Sequence, residues 1–257
     1  MMKKDYRNIV IGIDKGIALL RFNRPDQLNA MNRDMMDEII AGIEDINQNE
    51  EVRVAVIQGQ GRAFMAGADI KEYANQTPEQ FKAFQDRGIQ LYASIENAPI
   101  PWIAAVHGFA LGGGFEIALS CDMILASDTA KMGLPEVFLS LVPGGGGTQR
   151  LIHKMGINRA KEMLFTGGQY TVHTLREWGV VNHVFPEGEF DTAVLQFAAK
   201  LTRRPAKALT ELKRLAQLSL SPISFERKIA EEGKVVSQLF HGEEAKKAIQ
   251  DFIHKSK

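Results

Sequence analysis

The stretch WIAAVHGFALGGGFEIALSCDMILA, residues 102–126, decides the fold class. Trp102 to Val106 is an apolar run of strand length. Gly112, Gly113 and Gly114 punctuate the chain and open a short helix, and Met123 to Ala126 reads as a second strand. A strand, a small-residue turn, a helix and another strand in so short a span point to an α/β core with parallel strands.

Working outward, the same alternation recurs. Ile9 to Asp14 and Ile17 to Phe22 flank Asp14-Lys15-Gly16 and read as a hairpin. Asn32 is placed to cap a helix whose apolar residues, Met35, Met36, Ile39, Ile40, Ile43 and Ile46, follow a helical period. Val52 to Ile57 is a further strand. Thr77-Pro78-Glu79-Gln80 has the capping-box form, with proline at the first helical position. Beyond Pro143 helical patterns follow one another, and only Val180 to Phe185 still looks like a strand. The expected division is an α/β core over 1–200 and a helical region over 201–257.

Composition bounds the function. Of 257 residues, 45% are apolar and 24% charged, which excludes wholesale disorder. Lys+Arg and Asp+Glu are 31 each, so nothing draws the whole chain to nucleic acid or an anionic membrane. The one cysteine, Cys121, lies in an apolar run and reads as a core residue, and no disulfide or CxxC motif is available. The amino terminus has no signal-peptide pattern, and the apolar zone from Ala98 to Cys121 is broken by prolines, glycines, His107 and Glu116. The expectation is a cytoplasmic protein off the membrane. The histidines, such as His107 and His153, lack metal-ligand spacing.

Three segments carry the chemistry: Ala63 to Glu72 (AFMAGADIKE), His107 to Glu116 (HGFALGGGFE), and Met132 to Glu136 (MGLPE) with Pro143 to Arg150 (PGGGGTQR). Small-residue turns after strands expose backbone N–H groups, and the turn at Gly112 to Gly114 adds the positive end of a helix. Such amides can cradle a phosphate or polarise a carbonyl oxygen. The Walker and dinucleotide fingerprints are both missing. Glu116 and Glu136 stand near apolar sequence, where a carboxyl pKa rises and acid–base work near neutral pH becomes available. Taken alone, each glutamate reads more readily as a solvated surface residue, and spacing by itself does not establish catalysis.

The three segments, in this order, resemble the signatures of the enoyl-CoA hydratase/isomerase (crotonase) family, over nearly the whole chain from about Asn8. The resemblance implies a spiral of ββα units with a C-terminal helical region that mediates homotrimers, usually paired into hexamers. It implies an oxyanion hole from the N–H groups of Ala68 and Gly113, with Glu116 and Glu136 as catalytic carboxylates. Glu116 would be the base for water attack at the β-carbon and Glu136 the proton donor to the α-carbon. Leu28, Ala66, Asp69, Ile70 and Lys71 would line the CoA path. Phe252 and Lys255 would close over CoA, although the tail lacks the family's usual Lys-Arg pair. The partner implied is an acyl-CoA thioester, with no metal or redox cofactor.

Within that family two glutamates favour hydration over double-bond migration, because adding water requires one proton removed and one delivered. The expected reaction is reversible syn hydration of trans-2-enoyl-CoA to 3-hydroxyacyl-CoA. The alternatives are a methylglutaconyl-CoA hydratase, an isomerase, or a non-catalytic RNA-binding protein on the same fold. Bulky Phe115 before Glu116 reads as core packing.

Overall fold

A computed structural model describes residues 5–255, with the side chain of Lys255 excluded. The chain divides into two compact units, the first running to Leu201 and the second beginning at Thr202.

The first unit is built on β1 (Ile9–Asp14), β2 (Ile17–Phe22), α1 (Arg33–Asn47), β3 (Val54–Gly59), α2 (Ile70–Tyr73), α3 (Pro78–Glu96), β4 (Trp102–Val106), β5 (Phe109–Leu111), α4 (Gly113–Ser120), β6 (Met123–Ser127) and β7 (Lys131–Gly133). It continues through α5 (Gly147–Met155), α6 (Ile157–Thr166), β8 (Tyr170–Thr171), α7 (Val172–Glu177), β9 (His183–Phe185) and α8 (Phe190–Thr202). The main sheet has the order β1-β2-β3-β4-β6-β9. Only β1–β2 is antiparallel. Its turn has positive φ at both Lys15 and Gly16, the form that suits the twist of a two-residue hairpin.

Side-chain alternation along the parallel strands feeds two cores. Ala55, Ile57, Trp102, Ala104, Val106, Ile124 and Ala126 face the larger one, with the apolar stripes of α1 and α3. Val54, Val56, Ile103, Ala105 and Leu125 face the smaller one, with Phe190, Val194 and Ala198 of α8. Every residue of β3 and β4 is buried, as expected of strands covered on both faces. Caps fix the helix starts. Asn32 accepts from the Met35 N–H at 3.0 Å, and Thr77 and Gln80 form a reciprocal capping box.

A second sheet, β5-β7-β8, and the four-residue α2 have no counterpart in the sequence reading. Segments of two to four residues are too short to display a period. The strand expected from Val180 begins at His183. Val180 and Val181 are buried in the connection that follows α7 instead, so their apolar character reports core contact rather than strand geometry. With β8, the region beyond Pro143 holds two strands where one was expected.

The second unit contains α9 (Ala206–Leu218), α10 (Phe225–Phe240) and α11 (Glu243–Lys255). Within it Arg214 pairs with Glu211 at 2.8 Å and Glu231 at 3.1 Å. Leu212, Phe225, Ile229, Val236, Phe240 and Ile253 are exposed apolar residues on these three helices. Among the described residues, no helix is long and apolar enough to cross a membrane.

Candidate active site

Two loops are laced together at the carboxyl ends of the central strands. In the first, Ala66 N–H donates to the Leu28 carbonyl at 3.0 Å, Met31 N–H to Gly67 at 2.8 Å, and Asp69 N–H to Met31 at 2.9 Å. Arg24 binds this arrangement from the side. It pairs with Asp69 at 3.1 Å and donates to the Ala30 carbonyl. In the second loop, Met65 N–H donates to Phe109 and Leu111 N–H donates to Met65, each at 3.0 Å. Gly112 follows with φ +51° and ψ −126°, a backbone state that side chains rarely adopt, and α4 starts at the next residue. Among the described residues, the N–H groups of Ala68 and Gly113 have no protein acceptor. Both residues line a cavity of about 230 Å³.

Glu116 lies in the first turn of α4 and is only 3% exposed. Its Oε1 accepts from Gly145 N–H at 2.8 Å and Gly147 N–H at 2.7 Å, amides supplied by the glycine run before α5. Burial pushes its carboxyl pKa up. The Gly147 and Gly145 amides, Arg150 and the Tyr92 hydroxyl oppose that shift by favouring the charged form. Glu136 begins a single 3-10 turn after Pro135. Its Oε1 stands 3.1 Å from where a Gly112 β-carbon would be, and its Oε2 is buried without a protein partner. Burial first, with the charge of Glu116 adding to it, raises its pKa to about 7. Both glutamates are cavity residues, not solvated surface ones.

The remaining wall is largely apolar and aromatic, with Met31, Tyr73, Phe84, Tyr92, Leu141 and Val142, and Gln85 adds a neutral polar side chain. Glu116 and Glu136 are the only ionic side chains among its described residues.

Of the other residues singled out in the sequence, Ala66 and Ile70 line the cavity. Leu28 and Asp69 stand behind the first loop and hold its backbone, and Lys71 is exposed on α2. Phe252 is an exposed residue of α11 in the second unit, and the Lys255 side chain is outside the described residues. Phe115 is fully buried in the larger core. Sequence reasoning missed Tyr92, which the helical period of α3 places on the same buried side as Phe84, and Tyr73, which ends α2 and packs edge-on against Phe84 with ring centroids 5.1 Å apart. It also missed Glu96, which takes Arg150 of the third segment in a two-pronged ion pair at 2.7 and 2.8 Å.

Comparison with known proteins agrees with this geometry. Residues 12–257 match the family described as Enoyl-CoA hydratase/isomerase. A short-chain-enoyl-CoA hydratase of Clostridium acetobutylicum is 34% identical over 254 residues, covering 98% of this chain and 97% of that protein. A 2,3-dehydroadipyl-CoA hydratase of Escherichia coli is 33% identical over 247 residues, 96% of each. The crystal structure of an enoyl-CoA hydratase from Bacillus anthracis superposes with a TM-score of 0.93 at 29% identity, covering 97% of both chains. The chain belongs to the enoyl-CoA hydratase/isomerase family and has its crotonase-like α/β fold with a C-terminal helical region.

Proposed function

We propose that this enzyme adds water reversibly to trans-2-enoyl-CoA thioesters whose acyl chain carries no charge, giving 3-hydroxyacyl-CoA. The observation that carries the reading is two carboxylates in one apolar cavity beside two backbone amides free to donate.

The N–H groups of Ala68 and Gly113 form the oxyanion hole. As water adds to the β-carbon, negative charge moves onto the thioester oxygen, and fixed amides stabilise it without reorganising. Glu116, with two amides on Oε1, is suited to be the ionised base and leaves Oε2 for the water proton. Glu136 has a pKa of about 7 and no partner on Oε2, so it is suited to carry the proton delivered to the α-carbon. Moving a double bond needs only one such shuttle, so the pair favours hydration over isomerisation.

The wall of the cavity supports a neutral acyl chain. A distal carboxylate, as in a methylglutaconyl or dehydroadipyl group, buried there would meet no cation among the described residues and would add to the negative charge of Glu116. Leu28, Ala66, Asp69, Ile70 and Lys71 are assigned to the CoA path, Asp69 and Leu28 by shaping the loop. Phe252 and Lys255 are assigned to closing over CoA. The exposed apolar residues of α9–α11 support a homotrimer or a hexamer of paired trimers. A cytoplasmic location and independence from metal and redox cofactors complete the proposal.

The test is a panel of enoyl-CoA substrates. Crotonyl-CoA loses its conjugated absorbance and yields 3-hydroxybutyryl-CoA, and a carboxylate-terminated enoyl-CoA gives a kcat/KM at least about tenfold lower. Migration of the double bond without hydration, or preference for the charged chain, contradicts the reading.

A further inference from the structure

The cavity holds a buried hydroxyl that this scheme leaves idle. Tyr92, on α3, is 3% exposed and lines the cavity with both glutamates. Its ring lies against Gly145. A β-carbon on Gly145 would stand 2.0 Å from Tyr92 Cε2, 2.5 Å from Cζ and 2.8 Å from Oε2 of Glu116. One point is thus flanked by the carbon bearing the phenol oxygen and by the Glu116 oxygen that takes neither loop amide. On the other side, Tyr92 Oη is 3.4 Å from where a Gly113 β-carbon would be. The hydroxyl therefore sits between the base and an oxyanion-hole residue. The Arg150 guanidinium stacks on the ring, 5.5 Å from its centroid, and fixes its plane.

We propose that Tyr92 is a positioning residue of the hydration site: its hydroxyl donates to Oε2 of Glu116 and aims that oxygen at the water to be activated. The inference rests on the hydratase reading above. Oε2 has lone pairs for both the phenol and a water proton. Burial and the charge of Glu116 hold the phenol well above the ordinary tyrosine value, so it remains a donor throughout the working pH range. Gly145 follows from the same contact, since any side chain there displaces either the ring or the carboxylate.

Tyr92→Phe removes one oxygen and keeps the ring, its stack on Arg150 and its contact with Gly145. For crotonyl-CoA the expected result is a kcat lowered about tenfold with KM within about twofold. The acidic limb of the kcat profile moves to higher pH, because a group that favours ionised Glu116 is gone. In substrate-free enzyme labelled with 13C at the glutamate carboxyls, the resonance that Glu116→Gln removes titrates at higher pH in Tyr92→Phe than in wild type. The proposal requires the kinetic and titration shifts together, and either one without the other overturns it. Gly145→Ala, whose β-carbon would press on both the ring and Glu116 Oε2 and so part them, gives the same upward titration shift and serves if Tyr92→Phe does not fold. Wild-type enzyme inert toward crotonyl-CoA overturns the hydratase reading, whereas an unmoved 13C titration overturns the Tyr92–Glu116 bond itself.

Discussion

Arg150 grips Glu96 with both prongs of its guanidinium, Nε to Oε1 at 2.7 Å and Nη2 to Oε2 at 2.8 Å, while its third nitrogen donates to the Gly145 carbonyl. Gly145 in turn donates to Glu116, so a partly buried ion pair on α3 and α5 braces the loop that holds the base. Arg150→Met removes this two-pronged ion pair and frees that loop. It is expected to cost about 1–3 kcal/mol, read by denaturant unfolding. It also removes a positive charge that favours ionised Glu116, so kcat for crotonyl-CoA is expected to fall by about tenfold or more.

The pH dependence follows from Glu136. A proton donor with a pKa of about 7 is lost as pH rises through neutrality. The profile of kcat/KM, which reports the free enzyme, is expected to fall on its basic side with a midpoint near that value. Glu136→Gln should abolish the profile together with the activity.

The same residue sets a stability signature. The Glu136 pKa is about 7 folded against 4.5 for the free side chain, so the native state binds more protons between those values. Stability from this group is fully present below 4.5 and declines as pH rises to 7. Above neutrality Glu136→Gln removes a carboxylate that burial disfavours. After discounting for partial solvent access, it is expected to stabilise the fold by about 1–2 kcal/mol, a rise in Tm of about 2–8 °C at pH 8. At pH 4 the two proteins should melt together.

Gly112→Ala tests the turn that aims the second amide. Its φ of +51° strains any β-carbon, and that carbon would stand 3.1 Å from Glu136 Oε1. Strain of about 1–3 kcal/mol should appear in stability. Activity should fall by about 10²–10³, the loss typical when one oxyanion donor is displaced.

Much of this site was legible in the sequence because its groups are local. Glu116 follows Gly113 by less than one helical turn, and the apolar residues around it announce its burial. Main-chain amides need only a turn after a strand, which small residues betray. The long strands and helices were legible for the same reason, since β3, β4, α1 and α3 each run long enough to display a period or a cap. The small sheet β5-β7-β8 was not, because its strands of two or three residues are defined by partners far along the chain. Tyr92 and Glu96 escaped for a related reason. On α3 they read as ordinary residues of a helix, and the loop before α5 gives Tyr92 its contact with Gly145 while α5 itself gives Glu96 its pair with Arg150. Asp69 adds a contact that its own segment does not show. Its carboxylate pairs with Arg24, far back along the chain, and shapes the loop that the resemblance places on the CoA path.

The most direct measurement is the hydration rate of crotonyl-CoA at neutral pH by wild type, Glu116→Gln and Glu136→Gln, with folding checked by circular dichroism. Two carboxylates sharing one water require that both variants fall by about 10² or more while remaining folded. Near-wild-type turnover in either folded variant would contradict the division of labour between Glu116 and Glu136.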